Sequence, residues 1–331
     1  MTAVDLRLTV RLSSSPGSGV RLDLPGLPHS EEISWAAVLS YARAARERWT
    51  DYSREPGPER FSAVRGDDPA HIVKAALGEV LEALGDAEPP GLCLRIDSTL
   101  PIGSGFGSSA AAAVAVVAAT LAWRRAAVDL PTVERLALEV ERRQHGLPSG
   151  VDSATILRGG LLWARRTGSG LEIEPVEVRS PLLSRFRVYD TGMPAEPTGS
   201  VVAAVRAQMD RDCAGTEIIF DRIEAAARAF REELARDVEA PARVVELIRK
   251  CEVCLEGLGV VPEAVRAVVR RVEAEGGAAK ISGAGSLSGP GAGSLLVFHP
   301  EPERMAGWGF LQSFRFHPVQ LGAEGLRREE A

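Results

Sequence analysis

Leu6, Leu8, Val10 and Leu12 alternate with polar neighbours from Asp5 to Leu12, the period-two pattern of a strand with one face buried. Arg21 to Leu24 reads as a second strand, and the turn Pro16 to Gly19 between them predicts that the two pair. The period then lengthens. Trp35 to Trp49 predicts a helix with Ser34 as its N-cap, and His71 to Leu84 another that stops at Gly85. Leu92 to Ile96 predicts a strand that delivers the chain into Pro101 to Ser109. Ala110 to Trp123, fourteen residues interrupted only by Thr120, is too short to span a bilayer and predicts a buried helix. Val133, Leu136, Ala137 and Val140 put an apolar stripe on a helix running from about Pro131 to His145-Gly146. Gly160 to Ala164 and Leu171 to Val178 flank a turn at Arg166 to Gly170, which predicts a hairpin.

A new strand, Phe186 to Tyr189, follows Ser180-Pro181, and the expected domains are therefore 1–182 and 183–331. The second is dominated by helical patterns at Val201 to Asp210, Ile218 to Ala235, Val244 to Leu258 and Pro262 to Glu275. Strands are expected at Leu295 to Phe298 and near Phe314 to Val319. A length of 331 residues favours two cores over one.

Charge narrows the partners. A net charge of −6 argues against nucleic acid and anionic membrane, both of which need a concentrated basic surface. Of the 39 basic residues only Lys74, Lys250 and Lys280 are lysines, so any phosphate must be held mainly by local geometry. No secretory signal precedes Asp5, and the expected compartment is the cytoplasm. Cys93, Cys213, Cys251 and Cys254 make no disulfide framework, and the Cys251/Cys254 pair lacks further ligands for zinc, leaving both as helix packing residues.

The chemistry begins at Gly103-Ser104-Gly105-Phe106-Gly107-Ser108-Ser109. Alternate glycines leave backbone amides uncovered, and a following helix N-terminus adds partial positive charge, a combination suited to phosphate. The string resembles the P-x-G-x-G-L-G-S-S-A-A motif of the GHMP kinases, with Phe106 in place of leucine. Two further segments carry the same resemblance. Glu141 to Asp152 is similar to the E-x-x-x-H-G-x-P-S-G-x-D stretch of the mevalonate kinases in that superfamily, with Ser153 where asparagine is common. Lys280-Ile281-Ser282-Gly283-Ala284-Gly285 resembles their K-x-[ST]-G-A-G turn, although Ser286 to Gly293 is longer than the usual glycine run. Weaker echoes are Asp190-Thr191-Gly192 with Thr198, and Leu321 to Leu326.

The resemblance implies an α+β fold, with an N-terminal ATP-binding domain like domain 2 of ribosomal protein S5 and a ferredoxin-like C-terminal domain. It implies ATP-dependent phosphorylation of the primary hydroxyl of mevalonate, with phosphomevalonate kinase, homoserine kinase and a nucleotide-binding homologue without catalysis as alternatives. Asp152 would be the base. Gly103, Ser104, Gly105, Gly107, Ser108 and Ser109 would bind ATP, Ser109 and Glu141 would ligate Mg²⁺, and Thr198, Gly283, Ala284 and Gly285 would meet the substrate. His145 is expected to be a helix-end packing residue. A homodimer is left open. The A-P-G-K-x-x-L-x-G-E-H motif usual at the start of these kinases is not found within the sequence.

Overall fold

A computed structural model describes residues 1–329 apart from 102 and 169. Ile102 of the glycine motif and Ser169 of the expected hairpin turn therefore lie outside the described residues. The chain opens with strands β1 (Leu8–Ser14), β2 (Val20–Leu24) and β3 (His29–Ile33), then helices α1 (Trp35–Arg54), α2 (Pro58–Arg65) and α3 (His71–Leu84), and strand β4 (Leu92–Ser98). Ser34 caps α1 as expected, accepting from the Ala37 amide at 3.2 Å.

The expected pairing of the first two strands is corrected: β4 lies between them, antiparallel to β1 and parallel to β2, in the order β1-β4-β2-β3. The chain passes beneath the 15–19 turn at Gly91. A Cβ on Gly91 would stand 2.5 Å from the Ser15 carbonyl oxygen and 2.7 Å from that of Gly17. Leu92, Leu94 and Ile96 of β4 and Val20, Leu22 and Leu24 of β2 are buried, which favours central positions with both edges paired for these two strands. The inner face of this sheet, including Leu22, Leu92 and Leu94, packs against α1, α3 and two further helices. Its outer face carries the ion pairs Arg95–Asp23 and Arg95–Asp97.

Those helices are α4 (Ser108–Trp123) and α5 (Leu130–His145). Helix α4 is buried over nearly all its circumference, so its alanines and valines are core in every direction. A short helix α6 (Val151–Arg158) and the hairpin of β5 (Leu162–Thr167) with β6 (Gly170–Pro175) complete the first half.

The second half contributes β7 (Phe186–Asp190), α7 (Thr198–Arg211), α8 (Cys213–Leu234), α9 (Pro241–Gly257), α10 (Glu263–Ala274), β8 (Ala278–Ser282), β9 (Ser294–Phe298) and β10 (Arg315–His317). Its sheet is antiparallel in the order β10-β7-β9-β8. One face, with Ile281, Leu295 and Val297, meets Val265, Val269 and Val272 of α10. The opposite face, with Phe186, Ala278 and Phe298, meets Leu182, Leu234, Val244 and Ile248. The architecture is α+β, as expected. Edge strand β8 is guarded by α9, whose buried Glu252 accepts from the Ile281 amide at 3.1 Å.

Segment 321–326 returns to the first half. Val4 bridges Leu321, Gly159 bridges Glu324, and the Gly160 amide donates to the Ala323 carbonyl at 2.8 Å. A Cβ on Gly159 would stand 2.2 Å from the Gly325 nitrogen, so the two backbones meet where only glycine leaves room. Among the described residues no helix is long and apolar enough to cross a membrane.

Candidate active site

The glycine loop between β4 and α4 adopts a backbone that explains its sequence. Gly103, Gly105 and Gly107 have φ of 76°, 78° and 69°, left-handed values that residues with a Cβ rarely tolerate. Gly107 is the N-cap of α4 and provides no side-chain cap, so the first amides of the helix keep their hydrogen-bonding capacity for an anion. Ser108 and Ser109 form the first turn.

This loop rests on the end of the second sheet. Asp190, Ser294 and Ser282 occupy one row across β7, β9 and β8. Ser104 is buried and its hydroxyl donates to Asp190 Oδ2 at 3.0 Å, while the Ser294 hydroxyl donates to the Ser104 carbonyl. The Ser104 side chain and carbonyl are thus both turned into the second sheet. Phe106 meets His317 of β10 edge to face, with ring centroids 5.0 Å apart. The apolar ring that replaces leucine is therefore a second anchor, and one sequence reasoning did not foresee.

The third motif closes on the first. A Cβ on Gly283 would lie 3.2 Å from the Gly105 Cα, and one on Gly105 would lie 2.8 Å from the Ser282 carbonyl oxygen. Gly105→Ala combines that collision with a positive φ, so we expect a loss of about 1–3 kcal/mol in stability and weaker nucleotide binding. Thermal melts and nucleotide titrations of the variant check this. Gly285 is buried and would strike the Val260 carbonyl, at 2.2 Å, with any side chain.

Helices α5 and α6 bring the carboxylates. Glu141 is only 4% exposed, and its Oε2 accepts the Ser153 hydroxyl at 2.6 Å, which accounts for a serine beside Asp152. Burial, reinforced by the charge of Asp152 and opposed by the Ser153 bond, pushes the Glu141 carboxyl up to about 7. Asp152 stands in the first turn of α6, with Ile156 of the same helix 3.6 Å from the Cβ position of Gly107. Water reaches the Asp152 carboxylate, yet surrounding protein displaces much of its solvent shell. This desolvation raises its pKa, with the Met1 ammonium pulling the other way.

Ser109 does not bond to Glu141. Its hydroxyl meets Nε2 of His145 at 2.8 Å, so the histidine expected at a helix end or in packing reaches the glycine loop directly. The bend that follows His145 is held by α1: Trp49 Nε1 donates to the Gly146 carbonyl at 2.7 Å, and Tyr52 fills the space where a Gly146 Cβ would stand. Thr198 is exposed at the first position of α7, and Phe61 of α2 packs where a side chain on Gly199 would project. The structure therefore brings Gly103–Ser109, Glu141, His145 and Asp152 to one end of the first half, with Gly283–Gly285 across from them and Thr198 at the neighbouring α2–α7 contact.

Comparison with known proteins agrees with this fold. The family model described as "GHMP kinases N terminal domain" matches residues 71–160, the stretch from α3 through α6. The mevalonate kinase of Archaeoglobus fulgidus is 32% identical over 59% of this chain, a match spanning 63% of that relative's length. The mevalonate kinase of Methanothermobacter thermautotrophicus is 26% identical over 90% of this chain and 82% of its own. A crystal structure of mevalonate kinase superposes with a TM-score of 0.71 at 18% identity, covering 98% of this chain and 92% of the other. Residues 71–160 thus match the GHMP kinases N-terminal domain, and the whole chain shares the fold of a solved mevalonate kinase.

Proposed function

We propose that this protein is an ATP-dependent small-molecule kinase that phosphorylates the primary hydroxyl of mevalonate. What supports the reading is that two carboxyl groups with raised pKa values, Glu141 and Asp152, stand on α5 and α6, the helices whose His145 and Ile156 meet Ser109 and Gly107 of the glycine loop. Two negative charges in partly desolvated surroundings oppose one another unless one binds a proton or cation. That is a suitable setting for a base and a metal ligand.

The loop amides and the N-terminus of α4 hold the phosphates. Asp152 takes the proton of the acceptor hydroxyl as its oxygen bonds to the γ-phosphorus, and the bond from that phosphorus to the β-bridging oxygen breaks to release ADP. Glu141 and Ser109 would hold Mg²⁺, a hard cation that accepts carboxylate and hydroxyl oxygens and, when bound, neutralises phosphate charge. In the tautomer with Nε2 unprotonated, His145 accepts the Ser109 proton and leaves the lone pairs of the serine oxygen available. Acceptor preference rests on the mevalonate kinase relatives and on Thr198.

The test is ADP release and product identification with MgATP and millimolar mevalonate, run beside phosphomevalonate and homoserine. Formation of 5-phosphomevalonate is expected. Turnover of another acceptor alone would reassign the substrate, and nucleotide binding without transfer to any of them would mark a binding homologue.

A further inference from the structure

Residues 286–293, where the third motif departs from the usual glycine run, are strapped along their length to residues 191–196. At the inner end, the Thr191 amide and hydroxyl donate to the Gly293 carbonyl at 2.9 and 2.8 Å, and the Gly293 amide donates to Gly192 at 2.9 Å. In the middle, a side chain on Gly291 would strike the Thr191 and Gly192 carbonyls, each at 2.7 Å, and Gly289 packs on Ala195. The outer end is held by one carboxylate. Glu196 accepts from the Ser286 hydroxyl at 2.6 Å, the Leu287 amide at 2.9 Å and the Ser288 hydroxyl at 2.5 Å. Ser286 is fully buried, and its oxygen also accepts from the Ala195 amide at 3.1 Å.

The position of this strap gives it consequences for the site. Its inner end continues into Asp190 and Ser294, the residues that grip Ser104 of the glycine loop. Its outer end leads within two residues to Thr198 and, through Ser286, to the Gly283–Gly285 turn. The Ser286 amide further ties that turn to the Val260 carbonyl at 2.9 Å.

We propose that Glu196 is a positioning residue whose carboxylate clasps the 286–293 strap to the acceptor-side segment, fixing the closing turn and the start of α7 for acceptor binding. The inference rests on the kinase reading of the site. The Ser286 and Ser288 hydroxyls hold the Glu196 carboxyl down at about 2, so the clasp stays charged across the working pH range.

The experiment compares the wild type with Glu196→Gln, which keeps size but removes charge, and Glu196→Asp, which keeps charge. Loss of charged hydrogen bonds predicts an acceptor KM raised about 10- to 100-fold in Glu196→Gln, with nucleotide Kd changed less than about twofold because the Asp190–Ser104 grip remains. Glu196→Asp should restore part of the acceptor affinity. Hydrogen exchange of amides 286–293, measured without acceptor, should quicken in Glu196→Gln. Unchanged exchange there overturns the clasp whether or not mevalonate is the substrate. Faster exchange with an unaltered acceptor KM overturns the positioning role. If the wild type turns over no acceptor, the kinase reading fails while the exchange measurement still decides the clasp.

Discussion

Asp152→Asn is expected to reduce phosphoryl transfer by about 10²- to 10⁴-fold while leaving the fold and nucleotide affinity close to wild type. Asparagine preserves the shape of the side chain in the first turn of α6 but cannot accept the hydroxyl proton. The carboxylate makes no hydrogen bond on which α6 depends, since the helix is capped by Gly150 in a left-handed conformation and packed through Ala154 and Leu157. Removing a charge from a crowded position should if anything relieve repulsion on Glu141. The checks are single-turnover product formation, nucleotide titration and thermal melting. A rate within tenfold of wild type would remove Asp152 from the role of base.

Glu141→Gln should separate stability from activity in opposite directions. A carboxyl raised from 4.5 to about 7 binds its proton more tightly in the folded state. Its contribution is therefore fully present below pH 4.5 and is lost as pH rises through about 7. The shift corresponds to roughly 3–4 kcal/mol, part of it due to the charge of Asp152. Without metal, the glutamine variant should melt above the wild type at pH 8 and close to it at pH 5. Adding MgATP should reverse the order at pH 8, because only the wild type gains a carboxylate–cation bond, and the variant should lose most of its transfer rate. Equal melting shifts in both proteins on addition of MgATP would show that Glu141 holds no metal.

Much of this site was legible because its parts are short, local strings. The glycine loop, the Glu141–Asp152 stretch and the Gly283–Gly285 turn each announce themselves through glycine spacing. What joins them was not legible. The Ser104–Asp190 bond spans 86 residues and the Ser294–Ser104 contact 190, and neither follows from any periodicity. His145 stands at the end of α5 as expected, but its bond to Ser109 was not foreseen, because only the approach of α4 to that helix end puts the two together.

In the fold, strands and helices with strong periodicity were read nearly to the residue, as with α3 and β9. Four elements escaped. Strand β3 is His-Ser-Glu-Glu-Ile, polar because it is a sheet edge, and β8 begins with two alanines that carry little strand preference. Helices α2 and α6 are eight residues each, too short for an apolar stripe to repeat. The misplaced β1–β2 pairing reflects the competition between a nearby turn and a distant partner. The turn exists, but burying β4 on both edges outweighs closing a local hairpin.

The return of segment 321–326 to Val4 and Gly159 has a consequence for how the protein is made. As the chain leaves the ribosome, the first half must wait through the synthesis of the entire second half before the strip between Ala3 and Gly160 receives its last neighbour. Until then Gly159 and Gly160 present bare backbone at the surface. A nascent chain stalled before Leu321 lacks these contacts and is expected to be cut faster by proteases around Ala3 and Gly160 than the released chain.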